Sequence, residues 1–523
     1  MRTDFFSIRL ALIVMLLLIC CVGCGIIPKK FGPFPEKQVF LIDGEGRLLK
    51  PIGNAYNQTR FTSLKSIGEE IPYEEERGYL NIAAQDIAEQ LRVGKDVVVY
   101  FHGGMNTKID SIKRSHRLMN LSNNKGDNTP HFVLFNWQSS LRSSYRDRLF
   151  SIREGMKYHR DRGGLYEWYN NIVGVSYFFS DLLAGVARAP VTLERQFVTF
   201  ISNSSLVDLP SDIDEAFGDK EESNGSELPF NLKNLPEQVK AGQAETESRK
   251  NTLRDFRRTV PSTLTGPFRV VTTPIVDAFG VHAWDVMQRR TTLLFHRERF
   301  DSLKASKGEV PWEFGPLNKE LGPLYKFGEE LTMPFINGKN FKKGKLILVG
   351  HSMGAILSAE FLRLFPGIPF DHIVFMGAAC PIRDLDEKVF PYLAHPKNRE
   401  AKFYNLVLHP LAETRESNVF GIGPVGSLLV WIDQWFEKPD SIIDRTSGRF
   451  TNIGFTQHFL GNSMGRFGKD AGVSERVVFK VFPYSKGSNP NAPMTHGSFD
   501  DFRFWEKRFW ERPEDPTEGY ERW

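Results

Sequence analysis

The sequence predicts an α/β protein: a doubly wound, mostly parallel sheet carrying a large, mainly helical insertion. Three observations predict it. Short unbroken apolar runs recur at Val97–Phe101, His131–Trp137, Lys345–Val349, His372–Ala379, Phe403–Leu408 and Arg476–Phe482. A run without alternation suits a strand buried on both faces, as parallel strands are. Stretches of helical periodicity separate several of these runs, which is the rhythm of an α/β sheet. Between Trp137 and Gly344 that rhythm breaks, and roughly 200 residues intervene where one crossover helix would serve.

The composition agrees with a large globular enzyme-sized chain. It has 523 residues, 25% charged and 41% hydrophobic, enough apolar material for one large domain with an insertion or for two domains. The formal charge of +4 carries no general nucleic-acid footprint. Of the four cysteines, Cys20, Cys21 and Cys24 lie in the leader, and cleavage before Cys24 leaves only Cys24 and Cys380, which excludes a disulfide framework; no Cys/His spacing reads as a zinc site. The 43 phenylalanines against 14 tyrosines must fill a core or line a pocket.

In chain order, residues 1–24 have the form of a secretory signal: Arg2 and Arg9, then the apolar run Leu10–Val22, too short for a comfortable membrane span. Its end, Cys21-Val22-Gly23-Cys24, resembles a bacterial lipobox with Cys21 where leucine is usual, and implies lipidation of Cys24. An uncleaved anchor is the alternative. Either reading expects an exported, membrane-anchored body, periplasmic or at the cell surface. Residues 25–37 are a Pro/Gly-rich tether. Residues 38–137 form the first part of the core: a hairpin around Asp43-Gly44-Glu45-Gly46, a helix over Glu69–Arg92 and the first two buried strands.

Residues 138–343 are read as an inserted cap or lid. Leu165–Ile201 is aromatic-rich and expected to be helical with a break at Pro190; 207–258 is polar and expected to be flexible; Thr263–Phe300 is apolar again. Tyr166, Trp168, Tyr169, Tyr177, Phe178 and Phe179 either pack a cap core or face lipid and substrate. Asp181, Arg188, Asp285 and Arg289 argue against a transmembrane span.

Residues 344–523 resume the core. The run ending at Val349 meets Gly350-His351-Ser352-Met353-Gly354 and then the small residues Ala355, Ser358 and Ala359. This G-x-S-x-G between a strand and a helix start holds a serine on a tight turn, its hydroxyl clear of the sheet. A serine nucleophile needs a base and an orienting carboxylate. Of the downstream histidines, His372 begins a strand, and His395 and His458 follow none. His496 lies in a loop between the last strand and a C-terminal helix expected to carry Phe502, Trp505 and Phe509, with Ser498 and Asp501 as its capping pair.

Phe101-His102-Gly103-Gly104, Gly350-His351-Ser352-Met353-Gly354 and the terminal His496 together resemble the α/β-hydrolase superfamily, particularly its bacterial lipases and esterases. Phe132–Ser139 is similar to a strand ending in Trp-Pro-Ser in some of them, with Gln138 in the proline position. The resemblance covers roughly 95–140 and 344–510 and leaves the insertion aside. It implies an α/β-hydrolase sheet, carboxylic-ester hydrolysis without metal or organic cofactor, and the chain order serine, acid, histidine. On that order Ser352 is the nucleophile, His496 the base, and Glu413, the first carboxylate beyond Phe403–Leu408, the acid; Glu416 is the alternative acid, with Asp384 and Asp386 further options. Met353 N–H and a donor from the His-Gly-Gly loop, Gly104 or Met105, would form the oxyanion hole, with His102 orienting that loop. The expected partner is an ester or lipid-like small molecule. Acyl transfer, thioester or amide hydrolysis use the same constellation, and a non-catalytic surface lipoprotein on this scaffold is the competing class.

Overall fold

The computed structural model describes residues 37–51, 68–106, 108–124, 129–150, 152–153, 156–157, 165–204, 275–300, 317–337, 342–416, 426–468, 471–484, 491–511 and 520–522. The leader with Cys24, the tether and the polar segment 207–258 lie outside the described residues, apart from Lys37.

Strands β1 (Val39–Ile42), β2 (Leu48–Pro51), β3 (Gly68–Glu70), β4 (Val97–Phe101) and β5 (His131–Trp137) precede two short pairs, β6 (Ile152–Arg153) with β7 (Met156–Lys157) and β8 (His296–Phe300) with β9 (Leu317–Leu321). Strands β10 (Leu346–His351), β11 (His372–Met376), β12 (Lys402–Val407) and β13 (Val477–Val481) follow. Nine of them form one sheet in the order β13-β12-β11-β10-β4-β5-β1-β2-β3. From β13 to β1 every pairing is parallel; β2 and β3 extend the edge antiparallel. All six apolar runs become strands of this sheet, five of them interior and β13 at its edge. The expected hairpin around Asp43 forms, and its first strand also pairs in parallel with β5.

Side chains of a strand alternate between faces, and here each face has its own core. Val97, Val99, Phe101, Leu346 and Leu348 belong to one cluster, and Val98, Tyr100, Ile347 and Val349 to the other. Helices α1 (Tyr73–Arg92), α6 (Pro323–Asn337) and α7 (Gly354–Leu364) cover the first face; α2 (Lys108–Asn124) and the C-terminal aromatics cover the second. Between α2 and α6 run α3 (Leu141–Phe150), α4 (Leu165–Ser204) and α5 (275–293). Much of the phenylalanine excess is core. Phe40, Phe135, Phe327, Phe361 and Phe365 pack ring to ring on one face, and Phe482, Phe499, Phe502 and Phe509 on the other.

Helix α1 buries Leu80, Ala83, Ala84, Ile87 and Leu91, one helical face, and places Glu74, Glu75 and Glu76 in its first turn, where carboxylates oppose the helix dipole favourably. Glu76 is fully buried. It takes Arg297 Nη1 at 2.9 Å and Lys326 Nζ at 2.7 Å, tying α1 to β8 and α6. The hairpin β8–β9 and helix α6 had no counterpart in the sequence reading. Since Phe327 and Leu331 sit in the sheet core, the end of the intervening segment is part of the sheet layer. Trp284 and Met287 of α5 join the same core.

Two local expectations are corrected. Helix α4 runs through Pro190 without a break. A proline removes only the one backbone donor to the carbonyl four residues earlier, here that of Val186, which lies on the exposed side of the helix. No single helix carries Phe502, Trp505 and Phe509: a 3-10 turn at Phe499–Asp501 and a short helix at Lys507–Trp510 stand there instead. Ser498 Oγ accepts from Met494 N and Thr495 N rather than capping.

Candidate functional site

Ser352 occupies the turn between β10 and α7 with φ +55°. A serine in this left-handed region is strained by about 1–3 kcal/mol, so its surroundings must impose it. They do. Ser352 N–H donates to Met376 O at 2.9 Å and Ser352 O accepts from Ala379 N at 3.1 Å. The flanking glycines have no alternative: a Cβ on Gly354 would lie 2.0 Å from Phe101 O, and one on Gly350 2.6 Å from Ser358 Oγ. Serine, turn and helix are thus locked to the ends of β4 and β11.

The loop after β13 delivers His496, 144 residues downstream, with Nε2 at 2.8 Å from Ser352 Oγ. Both residues are enclosed, Ser352 1% and His496 7% exposed. Burial, helped by the neighbouring His351, pushes the His496 imidazole down to about 3, with Asp500 opposing. At neutral pH the ring is uncharged and Nε2 can take the serine proton. His496 Nδ1 has no hydrogen-bond partner among the described residues; it faces Gly377, where a Cβ would approach it to 3.1 Å.

The expectation that Glu413 orients this imidazole is not met. Glu413 lies on helix α8 (Pro410–Arg415) and turns inward, its Oε1 taking Arg449 Nε at 3.2 Å and Ser427 Oγ at 3.3 Å. Arg449 also binds Asp433 at 2.9 Å. A buried guanidinium between two carboxylates outcompetes a neutral imidazole for Glu413. The alternative, Glu416, stands where α8 ends and accepts the His496 backbone N–H on Oε2 at 2.8 Å. Burial pushes Glu416 up to about 7, with Glu413 adding to the rise and the His496 N–H bond pulling it back. Asp384 and Asp386 pair with Lys388 and Arg466, away from His496.

A second network holds His496 and was not foreseen. His351 Nε2–H donates to the His496 carbonyl at 2.8 Å. His351 Nδ1 lies 2.9 Å from Asp500 Oδ1, near in distance though off the hydrogen-bond line. Asp500 Oδ2 meets Arg114 Nε of α2 at 2.5 Å. Burial alone would raise Asp500, but Arg114 and His351 outweigh it and hold the carboxyl far below its usual range. The sequence contained a signal: His351 lies inside the serine motif and Asp500 four residues after His496. Arg114 had none, since an arginine on an amphipathic helix is ordinarily solvated.

The His-Gly-Gly loop lies against the serine. A Cβ on Gly103 would come within 2.8 Å of Ser352 Cβ, and one on Gly104 within 2.6 Å of Met353 Sδ. His102 orients this loop, as expected. Its Nδ1–H donates to Gly103 O at 2.7 Å, its Nε2 accepts Trp137 N–H at 3.0 Å, and its ring stacks on Trp137. Asn106 Nδ2 and Ser139 Oγ also bind Gly103 O, at 2.9 and 3.1 Å. With that carbonyl held by three donors, the Gly104 N–H of the same trans peptide points the opposite way. Met105 N–H is committed to Ser139 O at 2.7 Å, which leaves Gly104 as the donor of the pair. Met353, at the start of α7, has an N–H with no intrahelical acceptor by its position.

No family model, curated protein or solved structure matches this chain.

The other expected histidines have local roles. His372 packs with Tyr404 and Trp510, His395 accepts from Lys397 N, and His458 contacts Asn462. Among the described residues no group of histidine, cysteine and carboxylate side chains could hold a metal ion. Cys380 is buried beside Ser447, and burial pushes its thiol up, away from reactivity.

Proposed function

We propose that this chain is a serine hydrolase of the α/β-hydrolase type that cleaves carboxylic esters through an acyl-enzyme on Ser352. The observation that carries the reading is the 2.8 Å contact of Ser352 Oγ with a neutral His496 Nε2, on a strand–turn–helix serine in left-handed conformation. The part of residues 138–343 that precedes the core-packed α5 and α6 then acts as a cap, and residues 1–24 export and tether the body through Cys24 or an uncleaved leader.

In acylation, Ser352 Oγ attacks the ester carbonyl while its proton passes to His496 Nε2. The tetrahedral oxyanion is met by the N–H groups of Met353 and Gly104. Collapse breaks the ester C–O bond, and the imidazolium returns its proton to the leaving alcohol. Water, deprotonated by His496, then attacks the acyl carbon and releases the acid and free Ser352. Glu416 serves as the carboxylate that steadies the imidazolium: it already holds the His496 main chain and, unlike Glu413, Asp384, Asp386 and Asp500, is paired with no arginine or lysine among the described residues. Its ionised form is the useful one.

The test is turnover of a panel of short- and long-chain p-nitrophenyl esters by the full chain and by Ser352→Ala. Ester cleavage that disappears in the variant supports the reading. Cleavage unchanged by Ser352→Ala, or none by either protein, removes it.

A further inference from the structure

Helix α4 is amphipathic in an inverted sense. Its inner face makes the polar contacts. Asp181 takes Tyr145 OH at 3.2 Å and His282 Nε2 at 3.0 Å, and Arg188 Nε binds Asp277 at 2.7 Å. Thr192 is buried, Phe178 stacks on Phe279, and Gly174 lies close against Phe150. The outer face is apolar. Ile172, Val175, Phe179, Leu183 and Val186 recur at intervals of three and four and are each about half exposed or more, Leu183 reaching 69%. Of the aromatics expected on a lid, Phe179 is in this stripe, Tyr177 and Phe178 are half-buried, and the side chains of Tyr166, Trp168 and Tyr169 lie outside the described ones.

The segment Ile172–Glu194 is long and apolar enough to cross a membrane by length and composition. The inner-face contacts hold it lengthwise along α3 and α5, so it lies on the body instead.

We propose that this outer face of α4 rests on a phospholipid surface bearing anionic headgroups. Three things on this chain favour lipid over a second protein. The stripe is aliphatic plus one phenylalanine, without the tyrosine, tryptophan or arginine anchors of protein interfaces. The preceding stretch, residues 142–162, carries seven lysines and arginines against three acidic residues, and Arg142 and Arg146 of the adjoining α3 are exposed. An apolar helix face whose neighbouring helix exposes arginines is the pattern of a helix lying in a charged bilayer interface. Finally, the apolar run Leu10–Val22 precedes the body by a tether, residues 25–37, that can span at most roughly 45 Å, short enough to keep the body near any membrane the run enters. The proposal stands independently of the ester chemistry.

The test is carbene footprinting of the full chain with and without vesicles of equal parts phosphatidylcholine and phosphatidylglycerol. It reads the stripe itself, so vesicle binding by the leader does not register. Labelling at 172–186 should fall severalfold, while Ile82 and Val93, exposed on and after α1, keep theirs. Arg142→Glu with Arg146→Glu should restore much of the stripe labelling. Unchanged labelling with lipid overturns the proposal. So does a stripe protected without lipid in proportion to protein concentration, which indicates a second copy. Equal protection by phosphatidylcholine alone overturns the anionic assignment.

Discussion

His351 and His496 stand side by side, ring centroids 5.5 Å apart, and the protein treats them differently. His351 is hydrogen-bonded through Nε2 to the His496 carbonyl and has Nδ1 2.9 Å from the Asp500 carboxylate. His496 is held by its main chain on both sides, through Glu416 at the N–H and His351 at the carbonyl, while among the described residues its ring hydrogen-bonds only Ser352 Oγ. One imidazole is a bracket; the other is a ring carried by a fixed backbone and free to change protonation. Positioning is built into the neighbour so that the working ring carries no redundant contact.

This contrast can be broken at its working end first. Ser352→Ala or His496→Ala should lower ester kcat/KM by about 10⁴-fold or more, read by steady-state kinetics on any ester the chain turns over. The next effect is at Glu416. Glu416→Gln keeps an acceptor for the His496 N–H but removes the charge, and kcat should fall by about 10²-fold. The pH profile should change with it. Since Glu416 titrates near 7 and His496 near 3, the acid limb of wild-type kcat/KM should sit near 7 and be absent between 5 and 7 in Glu416→Gln. Stability should move too. The folded value of Glu416 lies above its ordinary 4.5, so its contribution to stability is present below 4.5 and lost as pH rises through 7. The Gln variant should lack that component in thermal melts across the window.

Smaller effects are expected at the bracket. His351→Gln removes a hydrogen bond to the His496 carbonyl, worth about 1–2 kcal/mol, and should lower kcat about tenfold with little change in the acid limb. A shifted acid limb would mean that His351 tunes the base instead of placing it. The smallest effect on rate belongs to Glu413→Gln, with kcat within about threefold of wild type. Its loss should appear as stability, about 3–5 kcal/mol, because buried Arg449 keeps only Asp433.

Much of this architecture was legible in the residues. Val97–Phe101 and Leu346–Val349 are apolar at every position because both faces of the sheet are covered, and such runs declare themselves. The Ser352–His496 contact was legible because a strained serine demands glycines beside it, and the resemblance placed a histidine on the loop after the last strand. Glu413 misled because counting from a strand end measures chain distance, whereas α8 rotates that side chain toward Arg449, which arrives 36 residues later. Glu416 leaves the helix at its last turn and so meets His496. The Asp500–Arg114 pair joins a C-terminal turn to α2 on one face of the sheet, and no local pattern announces such a meeting. In the intervening segment, β8 and β9 are polar strands, His-Arg-Glu-Arg-Phe and Leu-Asn-Lys-Glu-Leu, joined across the pair by Arg297–Glu320 and tied to α1 by the buried Arg297–Glu76 contact rather than marked by an apolar pattern.

The central claim is that Ser352 is a nucleophile made ready by His496. The most direct measurement is intact-protein and peptide mass spectrometry after treatment with a fluorophosphonate. The account predicts one phosphonyl adduct, mapped to Ser352, absent from Ser352→Ala and strongly slowed in His496→Ala. A folded chain that takes no adduct, or takes it equally in Ser352→Ala, would contradict it.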